Sequence, residues 1–259
     1  MRIDLYLTSK GYASSRQQAK RLIEEGSVTV DGRTVKKPSE TVADDVEHTV
    51  CVQDTMRYVG RGGLKLEGAL DAFGLDVAGK CALDIGASTG GFTDCLLQRG
   101  ATQVCAVDSG VGQLAEKIRS NSRVTSMENC NARYLTPETV GHPVDFIVMD
   151  VSFISATLII PRFPQLLGDS GDAICLIKPQ FEVGRSMIGK GGIVRDKAAH
   201  RRAIESVLEC GKSVGLLPVG LIPSPIFGGD GNREFLVWFT KDQTDKKEVT
   251  SEDIRRVAE

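Results

Sequence analysis

Several things are scarce in this chain, and each scarcity excludes something. Its seven cysteines are odd in number and include no Cys-x-x-Cys pair. Neither a disulfide framework nor a thiolate metal site is expected, and the thiols read as reduced core residues. The three histidines, at 48, 142 and 200, neighbour no recognisable ligand set, so no metal is expected. The longest uncharged stretch, Ser213 to Gly229, contains Pro218, Pro223 and Pro225 with four glycines. It cannot be a continuous membrane helix. Met1 to Leu7 has no sustained apolar run of the kind a secretory leader needs, so a cytoplasmic protein is expected. Net charge is only −2, so any attraction for nucleic acid must be local. With 259 residues, 41% apolar and 25% charged, the chain suits an ordinary globular protein of one or two domains.

Charge is indeed local. Residues 1–37 carry eight Lys/Arg against four Asp/Glu, and residues 38–56 carry five acids and no base. Arg2 to Lys10 is an apolar-periodic segment ending at Gly11. Ser14 or Ser15 then caps a helix to Glu25, with Ala19, Leu22 and Ile23 on one face and Gly26 as its stop. Its other face offers Arg16, Lys20 and Arg21. Val28-Thr-Val-Asp-Gly-Arg-Thr-Val35 reads as two alternating strands about an Asp-Gly turn, with Val46 to Val52 as a third strand. This helix–helix–hairpin order with Val-x-Val-Asp-Gly resembles the alpha-L RNA-binding motif of the S4-type ribosomal-protein domain. The resemblance implies that Arg2, Lys10, Arg16, Lys20 and Arg21 meet phosphates.

After a short junction at residues 56–60 the pattern becomes alternating strands and helices. Lys80–Ile85, Gln103–Asp108, Arg123–Glu128, Asp145–Asp150 and Ala173–Lys178 read as buried parallel strands. Helices are expected at Phe92–Arg99, Gly112–Arg119, Ser155–Leu167 and Asp196–Val214. Leu216–Ile222 and Glu234–Lys241 are joined by a Pro/Gly loop rather than a helix, which predicts an antiparallel last pair. The expected class is α/β: a doubly wound, Rossmann-like sheet whose last strand is antiparallel, behind a small α+β domain. The expected division is 1–55, a linker at 56–60, a catalytic domain at 61–245 and a helical tail at 246–259.

Chemistry is expected at strand ends. Asp84-Ile-Gly-Ala-Ser-Thr-Gly-Gly91 is a glycine-rich strand-to-helix turn spaced unlike Gly-x-Gly-x-x-Gly. A dinucleotide needs its pyrophosphate on that helix. S-adenosylmethionine has no phosphate, and its ammonium suits an acid such as Asp84. Gly86, Ala87, Ser88, Thr89, Gly90, Gly91 and Phe92 would cradle that cofactor, and Asp108, closing the second strand, would take its ribose hydroxyls. Asp150 stands in Asp150-Val-Ser-Phe153 without the two prolines of base N-methylating enzymes. Lys65, Asp150, Lys178 and Glu234 each lie at or just beyond an apolar run. Two lysines and two carboxylates so placed are costly to bury unless they pair. Such a set suits methylation of a ribose hydroxyl, a weak nucleophile that must lose its proton. Lys178 is the expected base, with Lys65 and Asp150 orienting it and Glu234 holding the ribose or the lysines. Glu182 to Arg195 is glycine-punctuated and carries Arg185, Lys190 and Arg195, and reads as a mobile flap over RNA.

The chain as a whole resembles the TlyA family, an alpha-L domain joined to an FtsJ-type ribose methyltransferase fold, whose members often bear the name hemolysin. The resemblance rests on Arg57–Leu66, Asp84–Thr93, Val107–Leu114, Glu128–Arg133, Asp150–Ile154, Lys178–Gly192 and Gly231–Phe235. It implies S-adenosylmethionine-dependent 2′-O-methylation of cytidine in ribosomal RNA of the small subunit, the large, or both. It also implies that Lys65, Asp150, Lys178 and Glu234 fill the family's Lys-Asp-Lys-Glu positions and that Asn131, Ala132 and Asp150 join the cofactor site. Arg61 is a further expected RNA contact. The junction Arg57-Tyr-Val-Gly60 departs from a tryptophan-bearing form in relatives, which leaves its role open. Competing readings are a membrane-active hemolysin, and an RNA-binding protein with an inactive methyltransferase fold. The first needs an amphipathic or spanning segment; the second sits poorly with charges intact at all four positions. Nothing in the sequence implies an oligomeric state.

Overall fold

The computed structural model describes residues 1–13, 15–24, 26–44, 46–52 and 57–259, in two units, Met1–Arg57 and Tyr58–Glu259. In the first unit, α1 (Ile3–Ser9) and α2 (Arg16–Glu24) pack on an antiparallel sheet of β1 (Val28–Val30), β2 (Arg33–Thr34) and β3 (Val50–Val52), in the order β2-β1-β3. Ile3, Leu7, Ala19, Leu22, Ile23 and Val28 form its core, which is the periodic apolar set of the two helices closed by the strand. Asp31 and Gly32 take φ values of 51° and 79°, the left-handed pair that a tight hairpin turn requires. The Ser15 hydroxyl accepts from Gln18 N at the start of α2, whereas Ser14 and Glu25 lie outside the described residues. The third strand is shorter than expected. The Asp31 carboxylate takes up Thr49 N and His48, so these residues serve the turn and not a longer ladder.

The second unit contains α3 (Gly62–Phe73), β4 (Cys81–Ile85), α4 (Gly91–Gln98), β5 (Gln103–Val107), α5 (Glu116–Arg119), β6 (Val124–Met127), α6 (Pro137–Val140) and β7 (Val144–Met149). These are followed by α7 (Phe163–Leu166), β8 (Leu167–Ile177), α8 (Pro179–Glu182), α9 (Lys197–Ser213), β9 (Leu217–Pro223), β10 (Phe235–Thr240) and α10 (Ser251–Ala258). The sheet order is β6-β5-β4-β7-β8-β10-β9, with β10 antiparallel to both of its neighbours. Side chains alternate across the sheet. Phe146 and Val148 face a core with Leu66, Leu70 and Leu96, while Ile147 and Met149 face one with Ile204 and Val207.

Two departures from expectation have clear causes. The helix expected over Ser155–Leu167 is a run of short turns, Ala156–Leu158, Ile160–Arg162 and α7, because Pro161 and Pro164 cannot donate to a continuous ladder. Conversely, α3 forms where no helix is expected. It starts on two glycines and has no side-chain N-cap. Glycine serves contact there: a Cβ on Gly63 would lie 2.3 Å from the Tyr58 ring. Tyr58 itself is buried at 2% exposure and donates to Glu67, and Val59 N donates to Asp94, so the end of the expected junction is built into this unit. Residues 53–56 lie outside the described residues.

Candidate active site

The topology itself gathers the charged residues. Strands β7 and β8 are parallel neighbours, so Asp150 and Lys178, each one residue beyond its strand, leave the sheet side by side. Strand β10 runs the other way, with Phe235 opposite Ile177, so Glu234 precedes its strand at the same edge. Lys65 arrives from α3, the side of whose first turn lies against the site: a Cβ on Gly62 would stand 3.9 Å from Asp150 Oδ2.

These four residues form two ion pairs. Lys178 Nζ lies 2.5 Å from Asp150 Oδ1, and Lys65 Nζ lies 2.5 Å from Glu234 Oε2. Lys178 also donates to Ser152 Oγ at 2.8 Å. Lys65, Lys178 and Glu234 are all buried. Burial pushes the Glu234 carboxyl up, opposed by the charges of Lys65 and, more weakly, Lys178. Pairing is what makes such burial tolerable.

Beside them lies the glycine turn. Gly86 takes φ 84°, and a Cβ there would stand 2.3 Å from Asp150 O, so only glycine lets the turn pass this close to the residue that closes β7. Ala87 N donates to Val107 O, Thr89 O accepts from Ala115 N, and Gly90 (φ 95°) caps α4, which opens at Gly91. Asp84 is fully buried. Its Oδ2 accepts from Thr93 Oγ1 at 2.6 Å, and its Oδ1 has no hydrogen-bond partner among the described residues. Burial pushes this carboxyl up to about 7. An orphaned buried carboxylate oxygen is an invitation to a cation, and the ammonium of an amino-acid-bearing cofactor fits it.

Asp108 is already engaged. Its Oδ2 accepts from Ser88 N at 2.8 Å and its Oδ1 from Gly110 N at 2.7 Å. A carboxylate has about four acceptor positions, so two remain for hydroxyls. Asn131 is exposed, and its side chain accepts from Arg133 N, capping a short turn at Ala132–Tyr134. Cys130 N donates to Asp108 O, which brings this loop to the Asp108 end of the site. Phe92 is 3% exposed, its side chain packed in the core with Leu66 and Leu96.

The expected RNA contacts fall into separate groups. In the first unit, Arg2 and Arg16 both bind the carboxylate of fully buried Asp4, at 3.0 and 2.9 Å. These hydrogen bonds, that from Arg2 foremost, hold Asp4 well below the usual carboxylate range. Lys20 is exposed, Arg21 is half-buried, and Lys10 stands over the Tyr6 ring. In the second unit Arg61 is exposed and donates to Phe227 O, and Arg185, Lys190 and Arg195 are exposed. The segment carrying these last three, expected to be a mobile flap, is tied at its C-terminal end. Buried Asn232 accepts from Val194 N and donates to Gly192 O, and His200 Nε2 lies 2.9 Å from Val194 O. Asn232 and Ser152 are partners that sequence reasoning missed. Asn232 adjoins the Glu234 motif, which was the one signal available. Among the described residues no cluster of three or more His, Cys, Asp or Glu is suited to a metal.

A doubly wound sheet with an antiparallel strand slipped between β8 and β9, and a glycine turn against the site, define a Rossmann-like methyltransferase. Residues 58–241 match the FtsJ-like methyltransferase family and residues 1–48 the S4 domain. The chain is 44% identical over 245 residues to the 16S/23S rRNA (cytidine-2′-O)-methyltransferase TlyA of Mycobacterium tuberculosis, covering 95% of this chain and 91% of that one. It is 46% identical over 263 residues to the putative rRNA methyltransferase YqxC of Bacillus subtilis, covering 100% and 92%. A solved structure described as a putative hemolysin from Streptococcus thermophilus superposes with a TM-score of 0.79 at 42% identity, covering 100% and 94%. The chain therefore belongs to the FtsJ-like methyltransferase family, among its TlyA-named members with an S4 domain.

Proposed function

We propose that this protein methylates the 2′-hydroxyl of a cytidine in ribosomal RNA, using S-adenosylmethionine. The observation that carries the reading is the state of Lys178. Its Nζ lies 2.5 Å from Asp150 Oδ1 in an ion pair and donates to Ser152 Oγ at 2.8 Å. A lysine held there is placed to take the proton of a hydroxyl brought beside it. S-adenosylmethionine, when bound, supplies an electrophilic methyl group. Asp84 would receive its ammonium and Asp108 its ribose hydroxyls, with the turn from Gly86 to Gly91 enclosing it.

On transfer of that methyl group, its bond to sulfur giving way to a bond to the ribose oxygen, the hydroxyl proton would pass to Lys178 Nζ. Asp150 steadies the ammonium that results. Lys65 and Glu234 neutralise one another in a buried position, where either alone would be costly, and together orient the ribose. The S4 domain would grip RNA phosphates through Arg2, Lys10, Arg16, Lys20 and Arg21, and Arg61, Arg185, Lys190 and Arg195 would do so from the second unit. A ribosomal substrate implies work in the cytoplasm. No helix among the described residues is long and apolar enough to cross a membrane.

The test is a map of 2′-O-methyl groups in ribosomal RNA from cells with and without this gene, with purified protein added back to unmodified subunits. The expected result is at least one cytidine methylated only when the protein is present. Identical maps, with no methylation by the purified protein on either subunit, would remove the reading.

A further inference from the structure

The two segments that deliver Asp150 and Lys178 are joined a second time, farther from the sheet. Beyond β7 the chain runs Asp150-Val-Ser-Phe-Ile-Ser155, and beyond β8 it runs Lys178-Pro-Gln-Phe-Glu182. At their far ends the Glu182 carboxylate accepts from Ser155 Oγ at 2.5 Å and from Ala156 N at 2.8 Å. Midway, the Phe153 and Phe181 rings lie 5.3 Å apart. The near ends are closed by the Lys178–Asp150 pair and the Lys178–Ser152 hydrogen bond. The result is a closed loop of two short arms, with the ion pair at one end and Glu182 at the other.

The first arm needs such an anchor. Phe153 holds φ 64°, a left-handed conformation strained for an aromatic residue, which persists only where surrounding contacts enforce it. Two residues on, Ser155 and Ala156 are where Glu182 takes hold. The side of Phe153 nearer the sheet carries Ser152, whose hydroxyl faces Lys178. Release of the far anchor would let the arm relax at Phe153 and carry Ser152 away from the lysine.

From this geometry we infer that Glu182 is a positioning residue: it clamps the arm after β7 to the arm after β8 and so sets Asp150 and Ser152 against Lys178. The inference rests on the methyltransferase reading above. Glu182 makes its bonds to Ser155 and Ala156 and serves only through them. Burial pushes its carboxyl up while these two donors oppose the shift.

The experiment compares Glu182→Ala, Glu182→Gln and Glu182→Asp in the full-length protein, with single-turnover and steady-state methylation of ribosomal subunits and calorimetric S-adenosylmethionine binding. Glu182→Ala should lower kcat on the order of 10- to 100-fold, the scale of a misplaced reacting group, while KM for the subunit and cofactor affinity hold. Glu182→Gln, which can still accept from Ala156 N and meet Ser155 Oγ, should recover most of the lost rate. Glu182→Asp, one methylene short, should not. If Glu182→Ala does not fold, Ser155→Ala removes one of the two bonds and should show the same split, a reduced kcat at unchanged KM. The idea is overturned if kcat survives in Glu182→Ala, or in Ser155→Ala where that variant is the readout, or if Glu182→Gln fails as badly as alanine. Wild-type protein is assayed alongside. Loss of activity there would indict the proposed reaction, whereas an active wild type with an unaffected variant indicts the clamp alone.

Discussion

Lys65 Nζ, from α3, and Glu234 Oε2, just before β10, lie 2.5 Å apart in the interior though 169 positions apart in sequence. A buried pair of this kind contributes little net stability as a pair, yet losing one member strands the other charge. Glu234→Ala should therefore destabilise the second unit by about 3–5 kcal/mol. The double variant Lys65→Met with Glu234→Leu should regain much of that stability, because both charges leave together, and should remain inactive. Denaturant unfolding and a methylation assay on the same preparations separate the two outcomes. A double variant that methylates normally would make the pair structural.

Asp84 gives stability an unusual pH dependence. An exposed aspartate titrates near 3.9, whereas burial raises this one to about 7. Between those values the native protein keeps a proton that the unfolded chain has released, so stability contributed here falls as pH rises through the window and levels off above it. Asp84→Asn cannot titrate. Its stability relative to wild type should therefore climb between about pH 4 and pH 7 and stay constant beyond. Urea midpoints measured across that range check the sign, and a flat difference would mean Asp84 is not held protonated. The same variant should bind S-adenosylmethionine poorly.

How much of this was legible depends on where each partner lies. Asp150, Lys178 and Glu234 stand beside strand-like runs, and a sheet with one antiparallel strand must bring those ends to one edge, so their meeting could be read from the chain. The helix carrying Lys65 could not. Gly62 and Gly63 argue against a helix start, and their reason, the Tyr58 ring packed where a Cβ would stand, exists only in three dimensions. Asn232 and Ser152 were illegible for a related reason: they act on Val194 N, Gly192 O and Lys178, partners tens of residues away. The turns at Ala156–Leu166 are signalled in the sequence by Pro161 and Pro164, which break a continuous helix.

The basic face of α2 should reveal itself through salt. Lys20 is exposed, and Arg16 keeps half of its side chain exposed even while bound to Asp4. Replacing Arg16, Lys20 and Arg21 together should flatten the dependence of log K for RNA on log salt by about 0.7–0.9 per lost phosphate contact. S-adenosylmethionine affinity should not change, since the residues proposed to hold the cofactor belong to the other unit. Binding isotherms over a salt series measure the slope, and an unaltered slope would mean these charges are merely solvated.

Lys178 bears the heaviest demand in the proposed chemistry. A 2′-hydroxyl is a poor nucleophile near neutral pH, and the proton it sheds needs a nearby acceptor. Among the described residues Lys178 has the placement for it: buried, beyond the end of β8, paired with Asp150 and hydrogen-bonded to Ser152. Lys178→Ala should cut the single-turnover rate by at least about 100-fold, within the usual range for a positioned general base. Lys178→Arg is the sharper variant. A guanidinium would keep the positive charge beside Asp150 but cannot give up its proton, so it should fail nearly as badly as alanine. Cofactor affinity should move far less in either variant, because the residues proposed to hold S-adenosylmethionine line the ends of β4 and β5. Near-wild-type turnover in Lys178→Arg would show that only the charge is needed. Lys178 would then stabilise the developing oxygen anion, and the proton would have to leave by another route.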